Sequence, residues 1–110
     1  MELKKNLDGN KLTVEVIGRL DAVTAIQFDK EIAKSLDGIE FLTIDLINLN
    51  YIASAGLRIL MKLQKRMNVQ GSMKIININS DIRSILDMTG FSRLLTIEDA
   101  DNSKKLSTNF

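Results

Sequence analysis

Residues 46–60, with the sequence LINLNYIASAGLRIL, limit the possible folds of this chain more than any other segment. The run over residues 41–46 is rich in β-forming residues and is followed by two asparagines. The small residues 53–56 then begin a stretch in which apolar residues recur at helical spacing. This pattern predicts a strand, a short junction and a helix, and it places the hydroxyl group of Ser54 where the helix begins.

Ser54 is predicted to lie beside backbone groups that favour a phosphate. The first N–H groups of a helix lack intrahelical partners and carry a partial positive charge, so they can donate hydrogen bonds to phosphate oxygens. Ala53, Ala55 and Gly56 give the serine little side-chain cover. Two interpretations stay open at this point: Ser54 is a phosphorylated switch, or it is only the N-cap of the helix, a role worth about 1 kcal/mol.

The residue types that are missing limit the chemistry of the chain. It contains no histidine and no cysteine, which excludes within it a Ser-His-Asp triad, thiolate chemistry, disulfides and the usual zinc ligand sets. Ser54 also fails the Gly-x-Ser-x-Gly pattern of hydrolase nucleophiles, because Ile52 stands at the first glycine position. A Ser–Lys hydrolase is the one enzyme class left open. We therefore predict a protein that is not an enzyme, with no catalytic residue, no metal and no cofactor.

The composition is typical of one soluble globular domain over residues 1–110, with 45% hydrophobic and 26% charged residues. A net charge of +1 gives no reason to expect nucleic acid or an acidic membrane as a partner. No uninterrupted apolar run is long enough to span a membrane, and the first residues lack the apolar core of a signal peptide. The resulting expectation is a cytoplasmic location, which the absence of cysteine also favours.

The periodicity along the chain predicts strands that alternate with helices after an opening hairpin. The predicted strands cover residues 3–7, 11–17, 41–46, 73–78 and 94–97, and the predicted helices cover residues 24–37, 54–69 and 80–89. Thr24 and Gln27 fit a capping box for the first helix, and Gly38 is its predicted end. Ser80 is the predicted N-cap of the third helix. We expect an α/β fold with a mixed central sheet of about four or five strands and three or four α-helices, followed by a polar tail, residues 98–110, that is frayed or weakly helical.

Four short stretches, taken in order, resemble the STAS domain (sulfate transporter and anti-sigma factor antagonist), in particular its short, free-standing bacterial members. They are residues 18–21 (GRLD), 44–46 (IDL), 51–57 (YIASAGL) and 89–91 (TGF). The resemblance extends over residues 12–97 and rests on the order and spacing of the four stretches. It implies the STAS fold for nearly the whole chain.

The resemblance implies a function in transcriptional signalling by exchange of protein partners. Such members bind an anti-sigma factor that is also a serine kinase of the GHKL ATPase type, and phosphorylation of one serine releases them. Ser54 matches that serine, and Ala55 and Gly56 match the small residue and the glycine that follow it. Asp21 matches the acidic residue that ends an earlier strand, whereas Ala53 stands where the family frequently has aspartate. The resemblance also allows for a PP2C-type phosphatase as a partner.

A surface around Ser54 is the expected docking site for the partner. Its predicted members are Asp21, Asn50, Ala53, Ala55, Gly56, Leu57, Arg58 and Lys62. One face of the second predicted helix is basic and has no acidic residue on it; its members are Arg58, Lys62, Lys65 and Arg66. This face fits either a solvated surface or a patch that meets an acidic partner. The alternative function is that of a non-switching scaffold subunit in a lipid-transport or stress-signalling assembly.

Overall fold

The computed structural model describes residues 1–98, so the predicted polar tail lies outside the described residues except for Glu98. Within residues 1–98 the chain forms six strands, three α-helices and one short 3-10 helix. The strands are β1 (Glu2–Asp8), β2 (Lys11–Leu20), β3 (Phe41–Asp45), β4 (Leu49–Ile52), β5 (Ser72–Ile76) and β6 (Ile97–Glu98). The helices are α1 (Thr24–Ala33), α2 (Ser54–Gln70) and α3 (Ser80–Thr89), and the 3-10 helix spans Phe91–Arg93.

The strands form one mixed sheet in the order β1-β2-β3-β5-β6, with β4 paired to β2 beyond the end of β3. The antiparallel β1–β2 hairpin turns at Gly9, whose φ of +62° suits a glycine, and this confirms the hairpin predicted from Asp8-Gly9. All the other strand pairs are parallel. The predicted α/β class with a mixed sheet is therefore confirmed.

All three helices lie on one face of the sheet. Each of them connects parallel strands, and the connections advance across the sheet in one direction. Because such crossovers are right-handed, they place the three helices on the same side. The core forms there, where Val14, Ile44 and Ile75 of the sheet are fully buried together with Phe28 of α1 and Leu60 of α2.

The opposite face of the sheet carries no helix within the part of the chain that the structure describes. Most of its side chains are polar, and they are half-buried or exposed, as Thr13, Thr43 and Lys74 illustrate on three neighbouring strands. An alternation of buried and polar residues along a strand is typical of a sheet that is covered on one side only.

Strand β4 was not predicted. It has four residues, includes the polar Asn50, and pairs only with the last residues of β2. A shift in register between Gly18 and Arg19, with Gly18 at φ +101°, lets β2 leave β3 and pair with β4. The Asn79 side chain holds β4 from the other side, because its Nδ2 donates to the Leu49 carbonyl at 3.1 Å. So short a polar strand leaves little periodicity to detect.

Two predicted element boundaries are wrong. α1 ends at Ala33 rather than before Gly38, which instead lies in the following turn at φ +80°. The N-cap of α3 is Asn79 rather than Ser80, because the Asn79 Oδ1 accepts a hydrogen bond from the Ile82 N–H at 2.8 Å.

The last predicted strand, residues 94–97, is displaced toward the C-terminus. The chain after α3 first forms the 3-10 helix, and only Ile97 and Glu98 pair with β5. The sequence between Gly90 and Ile97 has no strict alternation, so the start of this strand is set by its pairing with β5 rather than by local pattern.

Candidate functional site

The ends of β2 and β4 bring the predicted site residues to one edge of the sheet. Leu20 and Ile52 are paired in register, and the Ala53 N–H donates to the Leu20 carbonyl at 2.8 Å. Asp21 follows Leu20 directly at the end of β2, and Ser54 follows Ala53 as the first residue of α2. The structure therefore places Asp21 and Ser54, 33 positions apart in the sequence, beside each other in space.

Ser54 is the first residue of α2, and its side chain is exposed. The N-cap is Ala53, with an extended backbone at φ −99° and ψ 173°, so the interpretation of Ser54 as the N-cap is wrong. No side chain caps this end of α2 and no acidic residue lies in its first turn, as described within residues 1–98. The first N–H groups of α2 therefore have no side-chain acceptor from their own helix turn and are left for solvent or a ligand.

The start of α3 provides a direct contrast. Ser80 is likewise the first residue of a helix that follows a parallel strand. There, however, Asn79 caps the helix with its side chain and Asp81 places a carboxyl group in the first turn. The two serines occupy equivalent positions, but only the N-terminus of α2 keeps its full capacity to bind an anion.

Gly56 allows α2 to approach the two strands that precede it. A Cβ atom at this position would lie 2.9 Å from Ile52 Cγ1, 2.9 Å from Leu20 Cβ and 3.3 Å from the Leu20 carbonyl oxygen. These separations are too short for unstrained packing. Leu57, the next residue, is only 4% exposed and lies in the core, so it supports the predicted docking surface from below.

Asp21 is held by hydrogen bonds within its own turn. Its Oδ1 accepts from the N–H groups of Val23 at 3.0 Å and Thr24 at 2.9 Å, and the Asp21 N–H donates to Thr24 Oγ1 at 2.9 Å. The Asp21 carbonyl also accepts from the Ala25 N–H at 2.9 Å, so this reciprocal pair closes the turn that leads into α1. The N-cap of α1 is Val23, without a side-chain cap, so the capping box predicted at Thr24 and Gln27 is wrong, and the box-like pair lies three residues earlier. The Thr24 N–H, and then the Thr24 hydroxyl, lower the pKa of the Asp21 carboxyl group below its ordinary value.

The lowered pKa of Asp21 predicts a pH-dependent contribution to stability. The contribution is fully present above the unfolded-state pKa of about 3.9, and it is lost as the pH falls through the lower folded-state value. We expect the stability advantage of the wild type over Asp21→Asn to be largest at neutral pH and to shrink below about pH 4. Urea denaturation across this range measures it. Asp37→Asn is the control, because the Asp37 side chain is 98% exposed, and an advantage independent of pH would contradict the expectation.

The basic face of α2 has no acidic residue of its own, as predicted, but acidic residues of α1 and the turn after it partly neutralise it. Lys62 Nζ lies 3.0 Å from Asp29 Oδ2, and an Arg66 guanidinium nitrogen lies 3.3 Å from Asp37 Oδ1. Arg58 has no ion pair within residues 1–98, and it lies one turn from Ser54 on the same helix. The uncompensated positive charge is therefore closest to the start of α2.

The sequence model of the STAS domain matches residues 2–103. The chain belongs to the STAS domain family. One relative of this STAS domain is BtrV of Bordetella bronchiseptica, assigned by name as an anti-sigma factor antagonist. It is 29% identical over 82 residues, which cover 73% of this chain and 71% of BtrV.

Solved structures share the fold of this STAS domain. The Bacillus cell fate determinant SpoIIAA is an anti-sigma factor antagonist solved in unphosphorylated and phosphorylated forms. The unphosphorylated form is 12% identical with a TM-score of 0.75, over 99% of this chain and 98% of SpoIIAA. An anti-sigma factor antagonist from Mycobacterium paratuberculosis is 20% identical with a TM-score of 0.80, over 96% of this chain and 92% of its own. At these identities the likeness shows the fold alone.

Two further residues of this STAS domain lie at the site edge but were not predicted there. Arg19 of β2 and Tyr51 of β4 are paired in register, and the Arg19 guanidinium lies 4.3 Å from the centre of the Tyr51 ring. Both residues are within the stretches that carry the family resemblance, but their contact depends on β4. Asn50 beside Tyr51 is exposed, and Ala55 is half-buried in the first turn of α2.

Two features are missing from residues 1–98 of this STAS domain. Within these residues no helix is both long and apolar enough to cross a membrane. The same residues contain no group of three or more acidic side chains that could hold a metal ion.

Proposed function

We propose that this STAS domain is an anti-sigma factor antagonist controlled by phosphorylation of Ser54. The observation that carries the proposal is the start of α2, where an exposed serine lies at a helix N-terminus without a side-chain cap or an acidic residue in its first turn. The names of BtrV and SpoIIAA support the same function, and SpoIIAA exists in phosphorylated form. Phosphate oxygens on Ser54 would accept hydrogen bonds from the free N–H groups of α2.

The unmodified protein binds an anti-sigma factor that is a GHKL-type serine kinase. The proposed docking surface is the edge around Ser54, formed by Asp21, Asn50, Ala53, Ala55 and Arg58, with Lys62 further along α2 and with Gly56 and Leu57 beneath it. The Ser54 hydroxyl attacks the γ-phosphorus of ATP, loses its proton, and ADP leaves with the β–γ bridging oxygen. The chain is a substrate and a ligand in this reaction rather than a catalyst.

The phosphate releases the partner by electrostatics. It adds about 1.5 to 2 negative charges at the centre of the contact. Within the contact this charge meets no cation of the partner, and an uncompensated buried charge destabilises a complex by about 3–5 kcal/mol, so binding weakens by about two to four orders of magnitude. A PP2C-type phosphatase would restore the binding-competent form in the cytoplasm. Neither nucleic acid nor a membrane is needed as a partner.

Calorimetry with the two forms of the chain tests this function. The unphosphorylated protein is titrated into its GHKL-type serine kinase, and the titration is repeated after stoichiometric phosphorylation and removal of ATP. We expect at least a hundredfold weaker binding of the phosphorylated form, as argued above. Equal affinities would overturn the switch. Absence of kinase binding, together with stable copurification with transporter subunits, would support the scaffold function instead.

Arg58 should contribute more to association with an acidic partner than Lys62. Asp29 already compensates the charge of Lys62, whereas Arg58 has no ion pair within residues 1–98 and lies closer to Ser54. Arg58→Glu should slow association by about three- to tenfold at low salt and flatten its salt dependence, with a smaller effect from Lys62→Glu. Stopped-flow association rates measure this difference. Lys65→Glu, two turns further along α2, is the control, and an equal effect of all three reversals would contradict the expectation.

A further inference from the structure

Arg19 and Tyr51 form a stacked pair on the face of the sheet opposite the helices. The guanidinium lies 4.3 Å from the ring centre, and the two residues are direct partners in the β2–β4 pairing. Both are exposed, with Tyr51 at 39%. Tyr51 precedes Ser54 by three residues, so their Cα atoms lie at most about 10 Å apart. The pair therefore lies at the same edge of the sheet as the proposed phosphorylation site.

The donors of Arg19 remain available to a partner. Within residues 1–98 its guanidinium forms no salt bridge and donates no hydrogen bond to another side chain or carbonyl. Asp21, the acidic residue two positions away, directs its Oδ1 to the N–H groups of Val23 and Thr24. Stacking on Tyr51 restricts the guanidinium without using its N–H groups. Such a preorganised cation loses little conformational freedom when it binds a carboxylate.

One carboxyl group lies near Arg19: after the hydrogen bonds from Thr24 and Val23, the Arg19 charge also lowers the pKa of Asp21, but the two side chains form no ion pair within residues 1–98. Arg19 on β2 and Arg58 in the second turn of α2 both lack an ion pair in the described part of the chain, so their guanidinium donors are available to carboxylates of a partner.

On the same sheet face, Glu2 of β1 pairs with Ile17, two residues from Arg19. Glu15 lies further along β2, where it accepts a hydrogen bond from Asn48 at 2.7 Å, and neither acid forms an ion pair with Arg19 within residues 1–98. Charge complementarity therefore favours an acidic protein surface over a basic or neutral one.

We propose that Arg19 and Tyr51 are a second part of the docking surface, on the helix-free face of the sheet, for an acidic protein partner. This inference rests on the proposed function, and the partner is the anti-sigma factor of that proposal. A carboxylate of the partner accepts hydrogen bonds from the Arg19 guanidinium, and apolar side chains pack on the exposed part of the Tyr51 ring. Tyrosine and arginine are enriched among the residues that dominate binding free energy at interfaces.

A second stacked pair supplies a matched control. Lys11 and Phe41 are partners in the β2–β3 pairing on the same face, with the ammonium 5.8 Å from the ring centre. They lie at the opposite end of the sheet, because eight residues of β2 separate Lys11 from Arg19, a length of about 26 Å. An anti-sigma factor docked around Ser54 has no reason to depend on this pair.

The test compares calorimetric dissociation constants of the full chain and its variants with the GHKL-type kinase. Tyr51→Ala and Arg19→Gln should each weaken binding tenfold or more, whereas Tyr51→Phe and Phe41→Ala should stay within twofold of the wild type. Melting temperatures are measured for every variant. Arg19→Gln is an exposed substitution that leaves the core unchanged, so it decides the question if Tyr51→Ala folds poorly.

The outcomes separate this inference from the function on which it rests. If Arg19→Gln and Tyr51→Ala both bind the kinase with dissociation constants within twofold of the wild type, the second docking surface is overturned and the proposed function stands. An equal loss of kinase affinity in Phe41→Ala also overturns the second docking surface, because the effect would then come from the sheet as a whole. A wild-type chain that binds no kinase overturns the proposed function, and with it the second docking surface.

Discussion

Ser54→Ala should abolish phosphate incorporation while the protein stays folded. Ser54 is exposed and makes no cap hydrogen bond, so its hydroxyl contributes little to the free energy of unfolding. Alanine is also a better helix former than serine, and we expect a change in stability of at most about 0.5 kcal/mol. Intact mass after incubation with kinase and ATP should show one added phosphate for the wild type and none for the variant. Partner binding should persist in the variant.

Ser80→Ala is the matched control for Ser54→Ala. Ser80 has the same position at the start of a helix, but Asn79 and Asp81 already occupy that end of α3. We therefore expect Ser80→Ala to accept phosphate at the wild-type rate. If Ser54→Ala still incorporated one phosphate per chain, the phosphorylation site would be another residue. The masses of proteolytic fragments would then show whether Ser80 or Thr24 carries the phosphate.

Gly56→Val should destabilise the protein and impair phosphorylation together. A Cβ atom alone would come within 2.9 Å of Ile52 and Leu20, and valine adds two methyl groups beyond it. Overpacking of this kind costs about 1–3 kcal/mol, which corresponds to a melting temperature lower by about 5–20 °C for a domain of this size. Because α2 must shift away from β2 and β4, Ser54 shifts with it. Thermal denaturation and the initial rate of phosphate incorporation measure the two effects.

Lys65→Val separates overpacking from the weak helix propensity of valine. Lys65 lies in the same helix and is exposed, so the control variant should lose only about 0.5 kcal/mol. If Gly56→Val melts at the same temperature as Lys65→Val, then the valine side chain between α2 and the strands causes no extra loss of stability. Gly56 would then serve the partner surface alone.

The features predicted from the sequence are those encoded locally. The apolar stripe of α2 is an example, since Leu57, Leu60, Leu63 and Met67 recur at helical spacing and all are buried. The hairpin at Gly9 and the serine at the start of α2 follow in the same way from neighbouring residues. Local periodicity thus recovered the order of most elements, whereas the family was indicated by the resemblance of four short stretches in order.

The features that were missed depend on contacts between distant residues. Lys62 has no acidic neighbour on its own helix, and its partner Asp29 lies 33 residues away on α1. The stacking of Arg19 on Tyr51 requires β4, whose four residues show no clear alternation. The capping box of α1 was misplaced because both Asp21 and Thr24 are good capping residues, and only the fold decides which of them closes the turn before the helix.

The uncapped start of α2 has a consequence for how fast the proposed switch can respond. The N–H groups that would receive the phosphate already point outward in the unmodified protein, and the Ala53–Leu20 hydrogen bond holds the junction before them. Phosphorylation then changes the charge of a surface that is already in its final conformation, and no segment has to refold before the partner dissociates. The reset time after a signal would accordingly be set by the turnover of the kinase and the phosphatase, so the cell could tune the response through the amounts of these two enzymes.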